Sequence, residues 1–235
     1  MFDIINEILE MPYHKNYSAV SGAVHNIAKH EDAIEDVFFN HKLSKTEMPK
    51  ITIPTGKFFK VGPKKGLPKT RIMSRKEIRD RWLKDIDMEY IPDNSYISQP
   101  CGTHDSPDFI VKMKGKIYML ECKSAKGATP VFNSAYPKRN YIYAFTSEKY
   151  NATTVFLGQH VVPENAEKIY DEIHNAIKEC IKPFLPKLKE ADDNNRGLSF
   201  YPRDMYTLSG TKEKTDFFIH KSRSVAENEV REFVS

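Results

Sequence analysis

Apolar side chains recur at helical spacing in residues 2–10, FDIINEILE, which predicts a short amphipathic helix ended near Pro12. A longer helix is expected over residues 18–40. There Val20, Val24, Ile27, Ile34 and Phe38 form one stripe, and Glu31 falls in the middle of it. An acid on an apolar face is costly unless it meets a partner, so Glu31 either reaches a cation beneath the helix or lies on a rotated face toward water. Glu35, one turn later at the edge of the stripe, is the substitute candidate. Ser74 with Glu77 three residues on forms a capping box that opens a helix through about residue 87.

The period then changes to that of strands. Residues 96–98 lead into a turn-rich stretch at 100–107, and residues 108–113 alternate apolar with polar. Lys114-Gly115 reads as a hairpin turn before a second strand at 117–122. Residues 141–145 and 153–157 add further strands to the same sheet. A helix is expected over 163–190, with Ala166, Ile169, Tyr170, Ile173, Ile177 and Cys180 on one face and a kink at Pro183. Residues 198–201 and 217–220 read as late strands or extended arms, and a short helix from Ser224 finishes the chain.

At 235 residues the chain is long enough for one sizeable core, which gives a single domain with insertions. The formal net charge of +4 hides an asymmetry, because residues 45–76 hold ten Lys/Arg and Glu47 as their one acid. Proline and glycine punctuate that segment into extended strands and turns, a basic excursion suited to a polyanion. Lys57, Lys60, Lys64 and Lys65 are its candidate phosphate contacts. Three cysteines, Cys101, Cys122 and Cys180, form neither a disulfide framework nor a zinc cluster, and point to a reducing compartment. No charged-then-apolar leader opens the chain, and no apolar run reaches the roughly 20 residues of a membrane span. The expectation is a soluble, cytoplasmic protein.

The candidate chemistry lies between residues 99 and 145. Asp108 begins one strand of the hairpin and Glu121 lies near the end of its antiparallel partner, so the two carboxylates meet at one edge of the sheet. Lys123 points to the same face as Glu121 because strand side chains alternate with period 2. Phosphodiester hydrolysis must neutralise phosphate oxygens and supply an activated water, and Mg2+ does both. That ion binds through one or two carboxylates plus other oxygens, which Asp108, Glu121 and the main-chain carbonyl of Cys122 can supply. The Lys123 ammonium can then orient the attacking water or hold the developing charge. The same pattern also fits solvent-side residues of an ordinary hairpin, with Lys123 neutralising the acids.

Pro107-Asp108 followed by Glu121-Cys122-Lys123 resembles the motif of the PD-(D/E)XK nucleases, and the flanks are similar to type II restriction endonucleases. The lead-in QPCGTHDSPDF and the follow-on KSAKGATPVFNSAYPKRNYIYAF carry this likeness, which covers residues 97–146. The resemblance implies an α/β restriction-endonuclease-like core, a central mixed sheet between the N-terminal helix and the 163–190 helix, with the catalytic part at about 97–190. It also implies Mg2+-dependent cleavage of double-stranded DNA at a short sequence by a homodimer. Asp108 and Glu121 are then the metal ligands, Lys123 the third catalytic group, and Glu31 a further acid brought by a helix ahead of the core. Lys126, Lys138 and Arg139 are expected just past the metal edge as phosphate contacts. Asn133 and Ser134 suit base edges or sugar, and Thr103 and His104 are further candidate contacts. Two rivals stand beside this reading: a nuclease of the same superfamily that reads DNA structure, and a DNA-binding module without catalysis.

Overall fold

A computed structural model of the chain describes residues 1–14, 30–61, 64–84, 88–102, 105–132, 136–201 and 206–235, with the backbone alone at 56–61, 64–68 and 88. The elements in chain order begin with α1 (Phe2–Leu9), α2 (His30–Asn40), β1 (Ser44–Lys45), β2 (Thr52–Val61), β3 (Lys64–Ile72) and α3 (Arg75–Trp82). Then follow β4 (Ser95–Ser98), β5 (Phe109–Met113), β6 (Lys116–Ala125), β7 (Tyr141–Ser147) and β8 (Ala152–Leu157). The chain closes with α4 (Glu164–Ile181), α5 (Phe184–Glu190), α6 (Lys212–Thr215) and α7 (Arg223–Phe233).

Six strands form one mixed sheet in the order β1-β4-β5-β6-β7-β8, while β2 and β3 pair separately as an antiparallel hairpin. The protein is thus α/β, with a mixed central sheet between helices. The β5–β6 hairpin turns at Lys114 and Gly115, both with φ in the left-handed region at 51° and 73°, the geometry that matches the twist of tight hairpins. From that turn the register runs Met113 opposite Lys116 up to Phe109 opposite Leu120. β6 then pairs in parallel with β7, setting Glu121 beside Tyr143 and Lys123 beside Phe145.

Alternation along the strands divides the core in two. Phe109, Val111, Leu120 and Cys122 face one way, where they pack with Ile4, Ile5 and Ile8 of α1, Ile34 and Phe38 of α2, and Val230 of α7. Ile110, Met119, Tyr143 and Phe145 face the other way, against Ile78 and Trp82 of α3, Ile91, Phe132 and Phe218. The Ser74 capping box forms in full: the Ser74 hydroxyl accepts from the Glu77 N–H, and the Glu77 carboxylate accepts from the Ser74 N–H. The helix it opens stops at Trp82, short of residue 87.

Three expectations change. The 163–190 segment does not cover the sheet: it forms α4 and α5, broken at Lys182-Pro183, with no buried residue in either helix. Its place on the second face is taken by Trp82 and the C-terminal segment around Phe218, and α7 joins α1 and α2 on the first. Residues 198–201 form no strand, and 217–220 turn instead of extending, because the Asp216 carboxylate accepts hydrogen bonds from the Phe218 and Ile219 N–H groups. The predicted 18–40 helix is seen as α2; its residues 18–29 lie outside the described ones. Among the described residues no helix is long and apolar enough to cross a membrane.

This layering fixes where truncation costs stability. Phe38→Ala, at a fully buried ring, is expected to destabilise by about 3–5 kcal/mol, and Ile169→Ala on α4, in dilute unassociated chain, by less than about 0.5 kcal/mol. Urea unfolding of the two variants measures both, and equal losses would return α4 to the core.

Candidate active site

The hairpin register positions the acids. Asp108 immediately precedes Phe109, whose partner is Leu120, and Glu121 follows Leu120. The Cys122 main-chain N–H donates to Asp108 Oδ2 at 2.7 Å, which ties the Asp108 side chain across the strand end. Glu121 is only 8% exposed. Its Oε1 accepts from Lys123 Nζ at 2.6 Å, and its Oε2 is buried with no hydrogen-bond partner among the described residues.

Gln99 adds the third acid. Its Nε2 donates to Glu31 Oε2 at 2.8 Å and to Asp108 Oδ1 at 3.1 Å, so one amide group joins the first turn of α2 to the mouth of β5. The Gln99 Oε1 is buried without a partner among the described residues. Gln99 has φ 49°, a left-handed backbone that turns the chain out of β4. Sequence reasoning placed Gln99 in the motif but gave it no role; the signal was its position at the head of QPCG, while its bridging depends on that backbone twist.

Glu31 reaches the site for a different reason than the stripe suggested. His30, fully buried, occupies the apolar phase between the predicted Ile27 and Ile34 positions, and Glu31 lies half-buried beside it. Burial, with repulsion from His14, holds the His30 pKa down to about 3, so the ring is neutral. Glu35 is engaged elsewhere, with Lys45 at 2.8 Å and the Tyr96 hydroxyl at 3.2 Å. Burial alone would raise its pKa, but the hydrogen bonds from Lys45, Ser98 and Tyr96 hold the carboxyl below the ordinary range.

Burial dominates the electrostatics at the strand end. It pushes Glu121 up to about 7, against the attraction of Lys123 and with the repulsion of Asp108. Asp108 also lies above the usual aspartate range because of burial, which outweighs the Cys122 N–H, Lys123 and the Gln99 amide. For Lys123 burial acts downward, yet Glu121 and Asp108 overcome it and hold the ammonium more firmly protonated than an ordinary lysine. The Cys122 thiol faces the helix side and is pushed well up by burial, so its side chain is a core group and only its main chain serves the site.

The oxygens suit a hard divalent cation. Glu121 Oε2 and Gln99 Oε1 are buried acceptors awaiting a positive partner, and Asp108 lies across the strand end from Glu121. Among the described residues no three His, Cys, Asp or Glu side chains are already gathered as a metal-holding group. The side chains that could offer oxygens to such an ion are Asp108 and Glu121, with the Gln99 amide oxygen beside them. That composition is the one Mg2+ takes.

The DNA-contact candidates scatter. Lys126 follows the last residue of β6, beyond Lys123, and is exposed. Because β7 runs parallel to β6 and starts at Tyr141 beside Met119, Lys138 and Arg139 lie at the entry of β7, level with the first half of β6. Lys138 Nζ sits 4.1 Å from the Tyr136 ring centre, and Arg139 contacts the Val162 carbonyl at 3.3 Å and Glu167 at 4.0 Å. Those two side chains hold the 136–139 segment as well as any ligand. Thr103, His104, Asn133 and Ser134 lie outside the described residues, as do the side chains of Lys57, Lys60, Lys64 and Lys65.

The raised Glu121 pKa carries a stability signature. Folding takes up a proton at Glu121 between its ordinary pKa of 4.5 and about 7, so this group lowers the stability of the metal-free protein as pH rises through that window. Glu121→Gln removes the effect: the variant is expected to gain stability over the wild type at pH 8 and to gain least at pH 4.5. Urea unfolding in chelator across this range measures the difference, and a pH-independent difference would contradict the burial account. No family model, no curated protein and no solved structure matches the chain, so the site stands on its own geometry.

Proposed function

We propose that the chain is a Mg2+-dependent endodeoxyribonuclease with a PD-(D/E)XK core, which cuts double-stranded DNA at a short defined sequence in the manner of type II restriction endonucleases. The observation that carries the reading is the strand-end cluster: Asp108 tied to the Cys122 N–H, and Glu121 buried with one oxygen on Lys123 and the other unpartnered. An ordinary solvated hairpin would leave those oxygens to water. Burying two carboxylates costs several kcal/mol unless cations offset it, and one lysine, hydrogen-bonded to Glu121, supplies a single positive charge against the two.

When bound there, Mg2+ supplies charge neutralisation at the phosphate and a more acidic water. Asp108, Glu121 and the Cys122 main-chain carbonyl would hold it. Gln99 keeps Glu31 and Asp108 together through its amide nitrogen, making Glu31 a positioning acid at the rim. Lys123, firmly protonated, acts as a hydrogen-bond donor to the attacking water or to a phosphate oxygen, not as a base. The β2–β3 hairpin lies outside the central sheet and carries Lys57, Lys60, Lys64 and Lys65 along its two strands, a shape and charge suited to following a duplex backbone. Two copies, acting in a reducing cytoplasm, would cut the two strands.

Plasmid DNA incubated with the protein and Mg2+ is expected to give discrete bands, lost on adding chelator. Asp108→Ala, Glu121→Ala and Lys123→Ala should each lower the cutting rate by about 10²–10³-fold or more while the fold is retained. Full activity in any of the three would refute the assignment. A smear, or cutting confined to forks and mismatches, would favour a structure-reading nuclease, and intact DNA with tight binding would favour a non-catalytic module. Replacing Lys57, Lys60, Lys64 and Lys65 together by Ala should reduce the slope of log affinity against log salt by about 3–4. An unchanged slope would remove the hairpin from the DNA contact.

A further inference from the structure

The α4–α5 arm carries a wider apolar band than the other described residues cover. Ala166, Tyr170, Ile177 and Ile181 lie along one half of the band and are partly covered. Tyr170 stacks on Tyr136 at 5.5 Å and meets Tyr206 edge-on at 4.8 Å. The other half of the band, about 60° further round, is formed by Ile169, Ile173, Cys180 and Phe184. It is open: Ile169 is 56% exposed, Ile173 48% and Phe184 54%, and the Cys180 thiol is free and exposed. At Lys182-Pro183 both residues keep right-handed helical backbone angles, so the chain winds on in the same sense from α4 into α5. Residues 164–190 thus form one kinked rod, roughly 40 Å long at 1.5 Å per residue.

Charge along the rod is polarised. Its first part is net acidic, with Glu164, Glu167, Asp171 and Glu172 against Lys168. Its last part is net basic, with Lys178, Lys182, Lys187 and Lys189 against Glu179 and Glu190. A parallel twin of this rod would set like charge on like, whereas an antiparallel twin sets each acidic end over a basic one.

We infer that the open stripe docks against the same stripe of a second copy of the chain, antiparallel about a two-fold axis. The register that seats Ile169 on the partner's Phe184 also seats Ile173 on the partner's Cys180. Both pairs are centred between Ala176 and Ile177, so the axis passes there and the contact closes as a dimer. The small Ala176 at the axis lets the two backbones approach. The inference supplies the surface for the two-copy arrangement proposed above, but it uses nothing from the nuclease reading, and its tests contain no DNA.

Sedimentation of the full chain is expected to show a dimer, and Ile169→Glu with Ile173→Glu a monomer whose melting temperature is lowered only by the lost association. Ile173→Cys, under mild oxidation, is expected to link to the partner's native Cys180 and give a band of doubled mass on a non-reducing gel; adding Cys180→Ser abolishes the band. The wild type should not link, because the antiparallel register holds the two Cys180 thiols apart. A wild-type chain that sediments as a monomer overturns the proposal, as does a dimer that survives the double glutamate variant. Linking of the wild type through Cys180 overturns the antiparallel register.

Discussion

The hydrogen bond from the Cys122 main chain to the Asp108 carboxylate is the constraint on which the site depends. It closes the mouth of a hairpin whose other end is fixed by two left-handed residues, Lys114 and Gly115, and it leaves the register between them no slack. A slip of one residue would turn Glu121 and Lys123 toward α1 and α2 and carry Leu120 and Cys122 to the face that holds the acids. The apolar alternation that builds the two half-cores is therefore the same alternation that aims the acid and the amine. Fold and chemistry share one register.

The electrostatics follow from where that register puts the charges. Glu121 sits between Tyr143 on the neighbouring strand and the buried second half-core, and it meets one cation, Lys123, where an acid so desolvated calls for more. Its pKa near 7 and its unpartnered oxygen are two expressions of the same deficit. Gln99 relieves part of the deficit on the other side by giving one N–H each to Glu31 and Asp108. The result is an oxygen-lined strand end tied by polar contacts, with Glu121 Oε2 and Gln99 Oε1 left unpartnered among the described residues.

What could be read in the sequence was local. The β5–β6 hairpin, the Ser74 cap and the α7 helix each depend on residues within a few positions of one another, and the Asp108–Glu121 juxtaposition follows from the hairpin alone. Gln99 escaped because its bridging role needs a left-handed backbone that an isolated glutamine does not announce. Glu31 was found for an imprecise reason: the stripe runs over His30, one residue earlier, and the acid sits at its edge. The 163–190 segment is amphipathic, as its periodicity predicts, but it does not pack on the sheet. Periodicity shows that a face is apolar and does not say what covers it, and here Trp82 and Phe218 had already filled the sheet.

The account reduces to the claim that the strand-end oxygens of Asp108 and Glu121 hold a divalent ion. Crystals of the protein grown with Mn2+, with anomalous diffraction recorded near the manganese edge, test that claim most directly. The account predicts one strong peak ligated by Asp108 and by the Glu121 oxygen that Lys123 leaves free, and no peak there in Glu121→Gln. A peak elsewhere, or a strand end with no peak at saturating Mn2+ and Asp108 still bound to Gln99 and Cys122, would contradict it.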